Sequence, residues 1–508
     1  NESVPSRWQV SSPPALRAAI RHARVVLVGD YHTLRQSQRG FLRVLRASRT
    51  RNLLIGLEFV MARYQRAVDA YVAGRIPDGV FLRRIEYERS WPSYQVWPNF
   101  KPVFEHARGR GARVLALDCD PGQCGSVFSR DTFMAWRLAE AIRERPEDKV
   151  FVLVGENHLA PSHLPAELSR ALDRIGVRAS LLTVHQNIDQ VYFGLMDRGL
   201  EDRIDVVRLA AGRFVVPVST PIVAQQSFLE AVTGTGEEPR ADSRAAVRRE
   251  FAKYLRLLGR VLGLPTAGLL EGVTVCGPGD LDEVVAVAER MPPEDWMVVG
   301  GLVAEGESVC LPDSGVVYLA SVSPTHVAEE AAHFLKARLA GGPVPDDPVD
   351  FLYSRTLHEA VGYFGAKVFN PKRKPPSMAV LREAFAAANE AGREEPKPEL
   401  AFAAQIAAWH RKRLRRRGFD RTTFDSYLRA SGLPGGLADL DPDVTRPLVH
   451  FMGYELGERL YVAFRDGRIP VGALRRVFLT DFEQPGRAFE VFQALAASVR
   501  SIRLPQRF

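Results

Sequence analysis

Three apolar runs of strand length most constrain what this chain can fold into. Residues 25–29 lead into Asp30-Tyr31-His32, residues 54–57 into Glu58-Phe59, and residues 152–155 into Glu156-Asn157-His158. Each run stops at a glycine or a carboxylate, and two of them then place an acid and a histidine two positions apart. On an extended chain, residues two apart point to the same side, so each acid and its histidine can share one pocket. Taken singly, a strand-end acid reads as the cap of the next helix, and a lone histidine as a hydrogen-bonded structural residue. Repetition at three strand ends argues for a site.

The stretches between these runs have helical periodicity: 36–47, 62–73, 80–88, 100–108, 130–143 and a helix after Pro161. Further strands are predicted at 113–118, 149–155, 178–185 and 191–196. Short apolar strands alternating with helices indicate an α/β fold, a mainly parallel sheet covered on both faces. Crossover connections are right-handed, so the strands point one way. Their C-terminal ends then lie along one edge, where open α/β sheets place their ligands. Asp30, His32, Glu58, Glu156 and His158 are therefore expected to converge.

A chain of 508 residues exceeds one ordinary core. The predicted division is an α/β domain over 1–225, a small linking α/β segment over 240–345 and a helical domain over 346–508, with a Gly/Glu/Pro-rich linker at 233–239. The linking segment holds a long helix at 244–262, apolar runs at 272–277, 296–301 and 315–321, and a helix at 281–290. The helical domain is read at 351–364, 377–391, 398–411, 423–431, 445–465, 471–479 and 486–500. Within 325–333, His326, Glu330 and His333 share one helical face. Val327 breaks the zincin pattern, so capping and surface positions are expected there rather than a metal site.

Composition narrows the class. Hydrophobic content of 46% and charged content of 25% are those of a soluble globular protein. No apolar run approaches the ~20 residues that cross a bilayer. The formal charge of +8 suits anionic partners, but many basic residues stand singly on helix faces beside acids. Specific nucleic-acid binding is not expected. The basic runs at 370–374 and 411–417 would attract phosphate nonspecifically and are expected as solvated helix ends. Four cysteines are too few for a disulfide scaffold and lack paired C-x-x-C spacing. Cys119 and Cys124 flank Pro121-Gly122 and are close enough to meet, but small buried residues are the expectation. Asn1 is not a methionine, so an upstream signal or anchor stays open, and with it a cytoplasmic, membrane-associated or periplasmic location.

Five motifs, in order, resemble one family. They are Gly29-Asp30-Tyr31-His32, Gly56-Leu57-Glu58-Phe59 with Gln65 following, Trp91-Pro92, Arg130-Asp131-x-x-Met134-Ala135 and Gly155-Glu156-Asn157-His158. Over about residues 10–200 they look like the ChaN-type domain of the haem-binding-uptake and Tiki superfamily, related to TraB proteins and erythromycin esterases. The resemblance implies haem binding and iron handling for ChaN, metal-dependent proteolysis for Tiki, and lactone hydrolysis by a histidine and acids for the esterases. Two departures stand out. The family usually begins with Gly-Glu-x-His, whereas Asp30 is one methylene shorter, and Glu156 adds an acid where many relatives have Gly-x-x-His.

Two chemistries follow. His32, His158, Glu58 and Glu156 form a donor set for zinc, manganese, iron or cobalt. A bound metal would generate hydroxide from water, with Glu58 or Glu156 as general base. Haem would instead need an apolar slot, an axial donor and cations for its propionates. Tyr31, Tyr64, Tyr94, Trp91 and Trp97 offer aromatic surface, and Arg35 or Arg63 offers charge. The leading expectation is a ChaN-like protein that binds haem or a divalent metal. The alternatives are a metal-dependent hydrolase and a non-catalytic scaffold. Expected partners are haem or another small molecule, a protein docking on the helical domain, and a second copy of the chain.

Overall fold

The computed structural model describes residues 7–48, 50, 52–91, 96–233, 243–289, 300, 303, 308–311, 315–341, 345–374, 398–414 and 420–508. The 92–95 segment with Tyr94, the linker at 233–239 beyond Thr233, the 377–391 helix, residues 415–417, and the 296–301 run apart from Gly300 lie outside them. The chain divides into two compact units, residues 1–236 with 505–508, and residues 237–504.

Among the described residues the first unit is built on eight strands: β1 (Gln9–Val10), β2 (Val25–Asp30), β3 (Leu53–Met61), β4 (Arg113–Asp118), β5 (Lys149–Gly155), β6 (Leu181–His185), β7 (Val207–Ala210) and β8 (Arg213–Val215). Their order is β1-β7-β8-β6-β2-β5-β3-β4. The central strands pair in parallel, with Asp30 opposite Gly155 and Leu57 opposite Leu153. Strand β2 is buried at every position, as a strand covered by helices on both faces must be. The two faces form separate apolar clusters, one holding Val26, Val28 and Ile55, the other Val25, Leu27 and Leu54.

The sheet is mixed rather than uniformly parallel. The apolar stretch at 205–218 holds the β7–β8 hairpin, which turns β7 antiparallel. The predicted strand at 191–196 is instead the helix Asp189–Met196. Its buried residues, Val191, Tyr192 and Leu195, follow helical spacing, and a short apolar run alone cannot separate strand from helix. The final residues belong to this unit. Arg507 and the Phe508 backbone N–H both reach Asp205 (3.2 and 3.0 Å).

The Cys119–Cys124 pair forms a disulfide, with Cα atoms 6.0 Å apart, against the expectation of small buried residues. The Asp120 carbonyl accepts hydrogen bonds from the Gln123 and Cys124 backbone N–H groups, and this turn folds one cysteine back onto the other.

In the second unit, β9 (Thr274–Cys276), β10 (Val309–Leu311) and β11 (Val316–Tyr318) make a small sheet beside a helical core. That core centres on three helices, Pro324–Leu339, Pro348–Phe369 and Pro442–Arg465, with the middle one packed against both others. Close approach depends on glycines. A Cβ on Gly365 would meet the Ala332 methyl at 2.6 Å, and one on Gly457 would meet the Ala360 carbonyl at 2.6 Å. The basic loop at 370–374 is not solvated throughout. Lys372 is 1% exposed, and Arg373 turns inward to Glu329 (2.7 Å) and the Tyr454 hydroxyl (2.8 Å). Two buried acceptors outweigh hydration of that arginine.

Candidate functional site

The C-terminal ends of β2, β3 and β5 place Asp30, Glu58 and Gly155 side by side. Strand β3 loses register against β4 between Leu57 and Met61, so Glu58 sits where a bulge re-aims the chain. Gly155 marks the centre. A Cβ there would lie 3.5 Å from Glu58 Oε2, 3.6 Å from His32 Nε2 and 3.7 Å from His158 Cδ2. Three of the five predicted residues thus surround one backbone position, and Asp30 stands directly behind His32.

Asp30 is buried and accepts from Gln38 Nε2 (2.6 Å) and His32 Nδ1 (2.7 Å). Burial raises its pKa, and the His32 contact only partly offsets that. For His32, burial acts downward, but the bond to Asp30 and the charges of Asp30 and Glu58 leave its pKa raised. The His32 side chain is 30% exposed, and its Nε2 makes no hydrogen bond among the described residues. One edge of the ring meets Trp91 at 5.1 Å. Behind it Phe59 stacks on Phe100 (4.3 Å) and Trp91 (5.6 Å).

Glu58 is the hub of the buried half. It accepts from Arg130 (2.5 Å), His158 Nε2 (3.0 Å) and the Gly155 backbone N–H (2.6 Å). Burial works against its charge, yet the His158 bond and the charges of His158, His32 and Arg130 hold its pKa well below the usual carboxylate range. His158, in the turn Glu156–Leu159, donates Nδ1–H to Asp131 (2.6 Å). Burial opposes its protonation, but the Asp131 and Glu58 bonds raise it to about 9. Asp131 is fully buried and also holds His163 (2.7 Å), whose side chain is 31% exposed.

Glu156 does not join this group. Its carboxylate covers Gly29 and accepts from His185 Nδ1 (2.9 Å) and from the Gln186 and Asn187 backbone N–H groups (2.5 and 3.2 Å). It secures the loop after β6. The expected four-donor metal set of His32, His158, Glu58 and Glu156 is therefore split. Among the described residues no group of three or more His, Cys, Asp or Glu is arranged to hold a metal ion.

Of the residues expected around a haem, Tyr31 is partly buried against the core and Arg35 is exposed at the start of the Arg35–Arg46 helix. Tyr64 accepts from Arg63 (2.7 Å), and Arg63 pairs with Asp120 and Glu86. Trp97 packs in the aromatic core instead.

Sequence reasoning did not assign Asp118, Arg130, Asp131, His163 or His185 a role. Asp118 ends β4 and His185 ends β6. The strand-end rule that found the others would have found both. Arg130 and Asp131 lie inside the helix Val127–Glu144, where helical periodicity does not mark a site residue; the family-like motif they open is the signal that singles them out.

Residues 16–129 match the family model described as "Haem-binding uptake, Tiki superfamily, ChaN". A search of curated proteins found no match. A solved structure described as "Cofacial heme binding to ChaN of Campylobacter jejuni" is 12% identical over 35% of this chain and 87% of that one, with a TM-score of 0.29. A likeness that low carries no argument.

Proposed function

With a ChaN-type domain of the haem-binding-uptake and Tiki superfamily in the first unit as the premise, we propose that this unit binds haem in haem or iron handling, with His32 as the axial donor. The observation that carries the reading is the state of His32. Its Nδ1 is fixed by a buried carboxylate while Nε2 is unengaged among the described residues. An imidazole that ligates iron needs that arrangement, because a carboxylate on the other nitrogen orients the ring and strengthens it as a donor. The Trp91 and Phe59 rings add the apolar surface a porphyrin requires. Arg35 and Arg63, both exposed, supply charge for the propionates. Haem bound there would supply redox or storage chemistry of its iron. The chain contributes the donor, its orientation and the aromatic wall.

The same dyad supports a second reading, metal-free hydrolysis. His32 with Asp30 is a general base with its orienting acid. Glu58 and Arg130 stand across Gly155 from it.

Titrating haem into the purified chain separates the two. The haem reading expects a Soret band that saturates at one haem per chain. A flat difference spectrum overturns it, and ester turnover by the haem-free chain, abolished in His32→Ala, would install the second reading in its place.

A further inference from the structure

The second unit buries a polar cluster that the haem reading does not use. His333, on the helix Pro324–Leu339, is 7% exposed, and its ring faces that of His358 on the middle helix Pro348–Phe369. The centroids are 4.2 Å apart and the planes differ by 15°. His333 Nδ1 lies 3.4 Å from Glu330, and its Nε2 is buried with no hydrogen-bond partner among the described residues. The packing is cut to this ring, since a Cβ on Gly362 would fall 1.9 Å from Nε2. His326, grouped with Glu330 and His333 by sequence, is exposed instead and bonds Ser323 (2.7 Å).

The charges around the stack are unevenly shared. From its own helix His333 is faced by Glu329 and Glu330, and from the middle helix by Glu359. Glu329 is held by Arg373 and by Tyr454 of the helix Pro442–Arg465, and Glu359 is held by His450 of that helix (2.9 Å). His358 is faced by His333 itself, by Arg355 of its own helix and by Lys336 of the first. Burial disfavours charge on both rings. The acids nevertheless raise His333 to about 9, whereas burial and the three cations push His358 well below its ordinary value. In face-to-face imidazoles this close, two like charges repel strongly.

We propose that the His333–His358 stack is a one-proton latch between the first and middle helices. While the pair carries one proton, the acids of these two helices hold the contact closed. Mild acidification favours a second proton that the closed stack refuses, because it would set two imidazolium rings face to face, and so shifts the pair toward the open form that can accept it. The second unit thereby senses pH in the range where free histidine titrates.

Hydrogen exchange on the full chain, expressed as protection factors at pH 7.5 and at about pH 5.5, tests this. Peptides spanning 324–339 and 348–369 should lose protection by about tenfold or more, while those from β2 and β5 keep theirs. His358→Phe preserves the ring stack but takes no proton, so the acid loss should disappear. Undiminished protection in the wild type, or equal loss in His358→Phe, overturns the latch. Should the variant fold poorly, an NMR titration of the wild-type histidine rings decides. One ring of the pair should be charged at pH 7.5 and the other neutral until well below pH 6.5. Two rings titrating independently near pH 6.5 would overturn the proposal.

Discussion

The two units each bury acids with imidazoles, and they do so in opposite ways. In the first unit the groups stand on neighbouring strand ends, and the buried His158 has a carboxylate on both nitrogens. Its charge is matched, and the network tightens as it ionises. In the second unit two rings lie face to face across a helix pair, and one of them faces mostly cations. There the charge is frustrated, and the packing holds only while one ring stays neutral. The difference teaches that an acid–histidine cluster is cohesive or labile according to which atoms are paired.

The largest expected effect breaks the cohesive side. Glu58→Ala leaves Arg130 and a charged His158 without their shared acceptor, and removing one partner of a buried ion pair costs about 3–5 kcal/mol. The unfolding midpoint of the first unit in urea should fall accordingly. An unchanged midpoint would mean that Glu58 is not the hub.

A smaller effect contrasts two glycines. Gly362→Ala drives a methyl into His333. Overpacking of that kind costs about 1–3 kcal/mol, against a gain in helix propensity of about 1 kcal/mol. The second unit should lose stability on balance. Gly155→Ala meets its three neighbours at ordinary contact distance with φ at −52°, so the first unit should hold its midpoint. The reverse ranking would contradict the packing described for both sites.

The finest effect is the response to pH. His158 is raised to about 9, so its contribution is complete below pH 6.5 and is lost as pH rises toward 9. Glu58 is lowered, so its contribution is complete above pH 4.5 and is lost as pH falls below that. Both therefore persist from pH 4.5 to 6.5. His358 is lowered, so below pH 6.5 the unfolded chain binds a proton that the folded chain refuses, and the second unit weakens. Glu330, raised by burial, takes up its proton early and offsets part of this. Thermal unfolding at pH 6.5 and 5 should show the second unit losing more than the first. A larger loss in the first unit would remove the contrast.

These two regions also differ in how legible they were. Asp30, His32, Glu58 and His158 could be placed together from sequence because a parallel sheet delivers its strand ends to one edge whatever the side chains do. Glu156 obeyed the same rule yet turned to His185, since one residue past a strand end the chain is free to choose its face. The Asp189–Met196 helix was misread because its apolar run is too short for periodicity to decide. His333 and His358 could not be paired, because which faces of two helices meet depends on the whole core, here on Gly362 and Gly365. Arg373 looked like a surface charge for the same reason, its partners lying 44 and 81 positions away.

The central claim is that His32 of the first unit is the haem donor, and a pair of variants tests it most directly. Haem is added in equal amounts to the wild type, His32→Ala and His158→Gln, and the Soret region is recorded. The account predicts that His32→Ala loses the ligated band while His158→Gln, altered only in the buried half of the site, keeps it. An unaltered band in His32→Ala would contradict the account.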